Sequence, residues 1–101
     1  MKELREICQR EAESLEQAWQ AGELFDYLND EVLDMTFIVT PPRTLRAVEL
    51  AVALGGPSIY IDTREHAIVG FWGGNQARYA LDNDLCDEID QAFAEMYEYE
   101  Y

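Results

Sequence analysis

The sequence predicts an α+β fold in which a three- to four-stranded antiparallel sheet is flanked by an N-terminal and a C-terminal helix. At both ends of the chain apolar residues recur every three or four positions, which is typical of amphipathic helices. Between residues 33 and 81, β-branched and aromatic runs are interrupted by Gly, Pro and Asn, which is typical of strands joined by tight turns. At 101 residues, we expect a single domain spanning residues 1–101 with its own core.

The first helix is predicted over residues 2–20. Its apolar residues lie at helical spacing and would form one buried stripe: Leu4, Ile7, Cys8, Ala12, Leu15 and Trp19. Gly22 would end or bend this helix, because glycine is a poor helix former. After it, Leu24, Phe25 and Leu28 predict one or two further helical turns that close near Asn29.

The first predicted strand is the run MTFIVT, which is rich in β-branched residues and stops at Pro41 and Pro42. The next segment, LRAVELAVALGG, contains strong helix formers. Its large apolar residues nevertheless alternate with small or charged ones, which favours a strand. We expect Glu49 to lie on the far side of the sheet and the large residues to face the helices: Val48, Leu50, Val52 and Leu54.

Further strands are predicted over residues 58–62 and 67–72. Turn residues separate them, namely Gly55-Gly56-Pro57, the polar residues 63–66 and Gly73-Gly74-Asn75. The glycines are expected to supply positive φ at the hairpin ends. The pattern leaves open whether residues 77–81 continue the pairing.

Residues 82–101 are the most unusual stretch, since they carry eight carboxylates and no Lys or Arg. On a helix, Asp82 or Asn83 would cap the first turn, and one apolar stripe would face the core: Leu85, Ile89, Ala92, Phe93 and Met96, with Cys86 at its edge. The acidic ridge is the set of carboxylates on the opposite side: Asp84, Asp87, Glu88, Glu95 and Glu98. Like charges at this spacing destabilise a helix, so the ridge is either a solubilising surface or a binding surface.

The tyrosines at the end of this stretch alternate with glutamates, a pattern that does not fit a helical stripe. Three interpretations remain open: a short extended tail, a frayed terminus, or a binding epitope, since Tyr is enriched at interfaces. We therefore include Tyr97 and Tyr99 with the acidic ridge as candidate partner-binding residues.

The net charge of −14 lies on the flanks of the chain, because residues 41–81 carry four arginines against three carboxylates. Nucleic acid and anionic membranes repel such a chain, so we expect direct binding to neither. The expected partner is a basic protein surface, and such surfaces are mostly nucleic-acid-binding sites. No segment is apolar enough to cross a bilayer or to act as a signal peptide, which predicts a cytoplasmic protein.

The sequence gives little support for catalysis, a metal or a cofactor, and we expect a protein that is not an enzyme. His66, the one histidine, lies in a predicted turn and is expected to face solvent. Cys8 and Cys86 occupy apolar helical positions, which predicts core residues in a reducing compartment and not a disulfide or a zinc site. The glycine-rich segments LGGPS and FWGGNQ lack the lysine of a phosphate-binding loop.

In size, charge and architecture the chain resembles the DNA-mimic inhibitors of phages and mobile elements, including anti-CRISPR and anti-restriction proteins. The segments LGGPSIYIDT and FWGGNQARYAL also resemble those of small proteins from Gram-positive mobile elements. The resemblance implies an inhibitor whose carboxylates occupy the phosphate sites of a nuclease or CRISPR effector, and it transfers no residue role because these inhibitors share no motif.

Two alternatives to an inhibitor remain open. One is an acidic accessory module that forms a homodimer or binds a partner through the open face of the sheet. The other is a small-ligand domain that uses the aromatic side chains of that face.

Overall fold

The computed structural model describes residues 2–41 and 44–100, with the backbone alone for residues 98–100. Over this range the chain forms α1 (Lys2–Gln20), α2 (Leu24–Glu31), β1 (Asp34–Thr40), β2 (Thr44–Ala53), β3 (Ser58–Asp62), β4 (Ala67–Trp72), β5 (Asn75–Ala80) and α3 (Asn83–Glu100). The predicted α+β class is therefore confirmed.

The described strands form one antiparallel meander in the order β1-β2-β3-β4-β5. The sheet thus has five strands, one more than the upper limit that the sequence predicted. The additional strand is β5, which pairs with β4 from Ala67↔Ala80 to Trp72↔Asn75. Gln76 and Arg78 interrupt its apolar pattern, which is why the sequence left this segment undecided.

Both long helices lie on the same face of the sheet, α1 against β4 and β5 and α3 against β2. The core between helices and sheet contains fully buried side chains from every layer: Leu4, Cys8, Leu15, Val48, Leu50, Ile61, Ile68, Leu85, Cys86 and Ile89. Both cysteines are core residues, as predicted, and both thiols are free. None of the described helices is long and apolar enough to cross a membrane.

The prediction for β2 is confirmed except at its end. Val48 and Leu50 are fully buried, and Val52 packs against the core. Leu54, however, lies beyond the last residue of the strand and is 52% exposed. The register of β2 against β3 shifts between Ala51 and Ala53, so the alternation that buries Val48 and Leu50 does not continue to Leu54.

Three glycines decide how the elements meet. Gly73 and Gly74, with φ of 57° and 84°, form the two-residue hairpin between β4 and β5, and positive φ at both positions fits a type I′ turn. Gly70 on β4 allows α1 to approach closely, since a Cβ there would lie 2.8 Å from the Sγ of Cys8 and 3.0 Å from Leu4 Cδ1.

Candidate functional site

The helix that carries the acidic ridge begins at a side-chain cap. The Oδ1 of Asp82 accepts hydrogen bonds from the backbone N–H of Asp84 at 2.8 Å and of Leu85 at 3.4 Å. These bonds satisfy donors of the first turn, and the carboxylate also complements the positive end of the helix dipole. The predicted capping role of Asp82 is therefore confirmed.

Four residues of the acidic ridge have described side chains, and all four are exposed: Asp84, Asp87, Glu88 and Glu95. They share one helix that is anchored in the core by the fully buried Leu85, Cys86 and Ile89, so they project from a fixed support. The side chains of Glu98 and Tyr99 lie outside the described residues. The backbone of α3 is helical through Glu100, which makes the extended-tail interpretation of residues 97–100 wrong.

Tyr97 packs on the sheet. Its ring centroid lies 5.5 Å from that of Phe37 on β1, and Phe37 in turn lies 6.3 Å from Phe93. Tyr97 is consequently half-buried and holds the C-terminal part of α3 against β1. As a candidate partner-binding residue it can offer only the outer part of its ring.

A buried hydrogen-bond chain fixes the middle of α3. The hydroxyl of Thr63 donates to the Oδ1 of Asp90 at 2.6 Å and accepts the backbone N–H of Val48 at 2.8 Å. Thr63 is 1% exposed. This link positions α3 over β2 and separates Asp90, which is structural, from the exposed carboxylates of the ridge.

A second link joins α1 to α2, because the Tyr27 hydroxyl donates a hydrogen bond to the Oε1 of Glu11. Burial raises the pKa of Glu11, the bond from Tyr27 acts in the opposite direction, and the charge of Glu31 raises it further. Burial likewise raises the pKa of Tyr27. Tyr27 therefore faces α1, which places the opposite side of α2 towards α3.

Burial also raises the pKa of two groups on the inner side of α3, Asp90 and Cys86. Desolvation raises the pKa of Asp90, the hydrogen bond from Thr63 lowers it, and the charge of Asp87 raises it again. Burial and four neighbouring aspartates raise the pKa of the Cys86 thiol to about 12. Cys86 is thus protonated and unreactive at neutral pH, since the thiolate is the nucleophile.

An apolar groove of about 410 Å³ lies between α2 and α3, and we call it the α2–α3 groove. Phe25, Leu28 and Asn29 line it from α2, Ala92, Phe93 and Met96 line it from α3, and Val32 and Met35 complete it. Phe25 is 52% exposed and Met35 is 42% exposed. The groove is therefore an accessible apolar surface on the helical side of the molecule.

Carboxylates flank this groove on both sides. Asp26 is exposed on α2 three residues before Asn29, and Glu88 and Glu95 are exposed on α3 within one turn of Ala92. The segments that build the groove, residues 24–35 and 83–97, contain no Lys, Arg or His. The acidic ridge thus continues into an acidic rim around apolar side chains.

The open face of the sheet carries a different surface, a concavity of about 240 Å³, which we call the sheet concavity. Tyr60 and Phe71 form an edge-on ring pair in its wall, with centroids 6.0 Å apart. Beside them Arg78 donates to Glu65 at 3.0 Å. The aromatic side chains of the strands are divided between the two faces, since Tyr79 packs towards the core.

His66 is not simply solvent-facing, which corrects the sequence prediction. Its Nδ1 contacts the Oδ1 of Asn83 at the start of α3, and its backbone carbonyl accepts the N–H of Leu81 at 2.8 Å. Its φ of 51° places it in the left-handed region. Within the described part of the chain, no three side chains of His, Cys, Asp or Glu converge as a metal site would require.

Sequence reasoning missed the Thr63–Asp90 bond and the α2–α3 groove. Thr63 lies in a segment of turn residues, and Asp90 resembles the other carboxylates of α3, so neither carries a local signal. For the groove, Ala92 and Met96 were placed in the apolar stripe, but only the packing of α2 shows that part of this stripe stays uncovered.

Comparisons with protein-family models, with curated proteins and with solved structures gave no match for this chain.

Proposed function

We propose that this protein is a non-enzymatic inhibitor that binds the basic nucleic-acid-binding groove of a nuclease or CRISPR effector, with its carboxylates in place of DNA phosphates. The proposed partner is a basic protein, and the proposed place of action is the cytoplasm, where such enzymes meet DNA. No cofactor takes part.

The observation that carries this proposal is the exposure of Asp84, Asp87, Glu88 and Glu95 on one firmly anchored helix without a cation. Successive turns repeat about every 5.4 Å, so carboxylates on one side can meet several Lys or Arg side chains at once. Charge-assisted hydrogen bonds between carboxylates and such cations are stronger than neutral ones.

The anchoring supports the proposal because a charged surface binds more tightly when it is already ordered. Asp82 caps the helix, Thr63 ties its middle to the sheet, and the rings of Phe93 and Tyr97 pack against Phe37.

The test is capture from a bacterial lysate with immobilised protein, followed by identification of what binds. The neutralised-ridge variant carries Asp84→Asn, Asp87→Asn, Glu88→Gln and Glu95→Gln. The matched control removes the same charge elsewhere, with Glu3→Gln, Glu6→Gln, Glu13→Gln and Glu23→Gln, all at exposed positions. We expect wild type and control to capture a nucleic-acid enzyme that salt or added DNA releases, and the ridge variant to lose it. Equal loss of the captured enzyme in both variants would show that binding depends only on the overall net charge, which would contradict the proposal.

The sheet concavity favours a second candidate, an accessory module that binds a partner or a second copy through the open face. Phe71 is 44% exposed beside Tyr60, and exposed aromatics are enriched at interfaces. If this face forms a homodimer, sedimentation of the wild type should show it, and Phe71→Ser should return the protein to the monomer.

A further inference from the structure

We propose that the α2–α3 groove binds a basic amphipathic helix of the partner protein, with the partner's apolar stripe in the groove and its cations against the acidic rim. The inference deepens the proposed function, on which it rests for the basic character of the partner. It adds the binding site and the shape of the partner segment.

The first step of the argument is the mixed chemistry of the surface. Charge mimicry alone needs carboxylates, yet here Phe25 and Met35 remain exposed between two acidic helices. Water contact with such apolar surface is unfavourable, and exposed apolar patches bordered by polar residues mark interaction sites. The volume of about 410 Å³ also lies in the range of about 300–1,000 Å³ found for binding pockets.

Charge complementarity then selects the occupant. The groove has Asp26 on the α2 side and Glu88 and Glu95 on the α3 side, so a partner must present an apolar strip with cations on both flanks. An amphipathic helix with apolar residues at i, i+3, i+4 and i+7 and Lys or Arg between them has this pattern.

The described cations of the chain lie away from this rim. Arg64 and Arg78 line the sheet concavity. Arg46 hydrogen-bonds Thr40 at 3.0 Å, at the opposite end of β1 from Met35. Lys2, Arg5 and Arg10 lie on α1, which contacts α2 through Tyr27, on the side away from the groove.

A second copy of the chain fits this groove poorly. It would bring a net charge of −14 against the rim. Its helix with the most cations, α1, already buries its apolar stripe against β4 and β5. The charge therefore favours a different protein as the occupant.

The test uses a fluorescent peptide of about 15 residues, long enough to fold on binding, with Leu at i, i+3, i+4 and i+7 and Lys elsewhere. Its controls are a shuffled peptide of the same composition and an oligolysine of equal charge. We expect the amphipathic peptide to bind roughly tenfold more tightly than either control, because only it can bury a continuous apolar stripe.

Two matched pairs of variants locate the binding. Phe25 and Leu54 are both 52% exposed, but only Phe25 lines the groove, so Phe25→Gln should weaken peptide binding by about tenfold and Leu54→Gln should leave it unchanged. Likewise Glu88→Gln with Glu95→Gln should weaken binding more than Glu3→Gln with Glu13→Gln, which removes equal charge from exposed positions on α1.

Methionine methyl NMR gives an independent readout, because two of the three methionines, Met35 and Met96, line the groove. Both methyl signals should shift on adding the amphipathic peptide. Equal affinity of the shuffled peptide, or unmoved Met35 and Met96 signals, would overturn the groove inference and leave the inhibitor proposal standing. A wild-type dimer that Phe25→Gln dissociates would also overturn it, by showing a second copy as the occupant. Conversely, groove binding without capture of a nucleic-acid enzyme would contradict the proposed function alone.

Discussion

The two long helices lie side by side on one sheet, yet their exposed surfaces differ. α1 carries Lys2, Arg5 and Arg10 among its carboxylates, and it packs so closely that Gly70 has no room for a Cβ. α3 carries carboxylates alone and leaves an open apolar groove beside it. If negative charge served only solubility, the two helices would be expected to share it evenly. The difference is consistent with the proposal that the α2–α3 side is the binding surface.

The largest effects should show that both helices are equally part of the core. Leu15 on α1 and Leu85 on α3 are both fully buried, so truncation of either to Ala should lower the free energy of unfolding by about 2–5 kcal/mol. Chemical denaturation measures both. A negligible effect of Leu85→Ala would mean that α3 is not anchored and would remove the basis of the comparison.

The next prediction compares the tight and the open side directly. Gly70→Ala should lower the free energy of unfolding by about 1–3 kcal/mol, because the added Cβ meets Cys8 and Leu4. Ala92→Leu adds more volume, but it extends into the groove, so its cost should stay below about 0.5 kcal/mol. A thermal melt of each variant distinguishes them, and equal losses would show that the groove is not open.

A third prediction concerns the bond that holds α3 in place. Thr63→Val keeps the side-chain shape but removes the hydroxyl that bonds Asp90 and Val48, and we expect a loss of about 1–3 kcal/mol from the unsatisfied groups. Denaturation at pH 7 measures it. Thr63→Ser, which retains the hydroxyl, should recover much of the loss, and failure to do so would assign the effect to packing instead.

Glu11 and Asp90 should determine whether stability rises or falls with pH. Burial raises the pKa of both carboxyls in the folded protein, so between the unfolded and folded pKa values the native state holds more protons. Stability should therefore rise as the pH falls from 7 towards the ordinary carboxyl range near pH 4–5. Melting temperatures across this range test it, and Glu11→Gln with Asp90→Asn should flatten the dependence.

The smallest expected effects are changes in the free energy of unfolding that have opposite signs on the two helices. Glu95→Lys should raise the free energy of unfolding by about 0.3–1 kcal/mol, since it relieves repulsion and complements the C-terminal end of α3. Glu6→Lys on α1 should lower it by about 0.2–0.5 kcal/mol, because Glu6 lies four residues before Arg10. Precise denaturation curves are required. A gain in the free energy of unfolding at both positions would show that negative charge affects the stability of α1 and α3 in the same way.

The fold was largely predictable because periodicity is a local signal. The stripe of α1, the alternation of β2 and the paired glycines at residues 73 and 74 each specify an element without tertiary information. The sequence did not decide whether β5 forms, because Gln76 and Arg78 lie on the open face of the sheet. Polar residues there interrupt the run of apolar residues by which a strand is recognised. Leu54 was wrongly predicted to face the helices, because the alternation of residue types along β2 does not reveal a shift in strand register.

The candidate site was predictable only in part. Helical spacing placed Asp84, Asp87, Glu88 and Glu95 on the exposed side of α3, as observed. The groove depends on how far apart α2 and α3 pack, and the role of Asp90 depends on Thr63, which is 27 residues away in sequence. Contacts between distant residues leave no periodic trace in the sequence.

The meander has a consequence for the order of folding. Each strand pairs with the strand before it in the sequence, so the sheet can grow hairpin by hairpin through short loops, which favours rapid folding. α3 follows the sheet in the chain and docks on β2, a strand that is complete well before it. The carboxylates of α3 therefore need to be brought close together only when the helix docks on a sheet whose strands precede it in the chain.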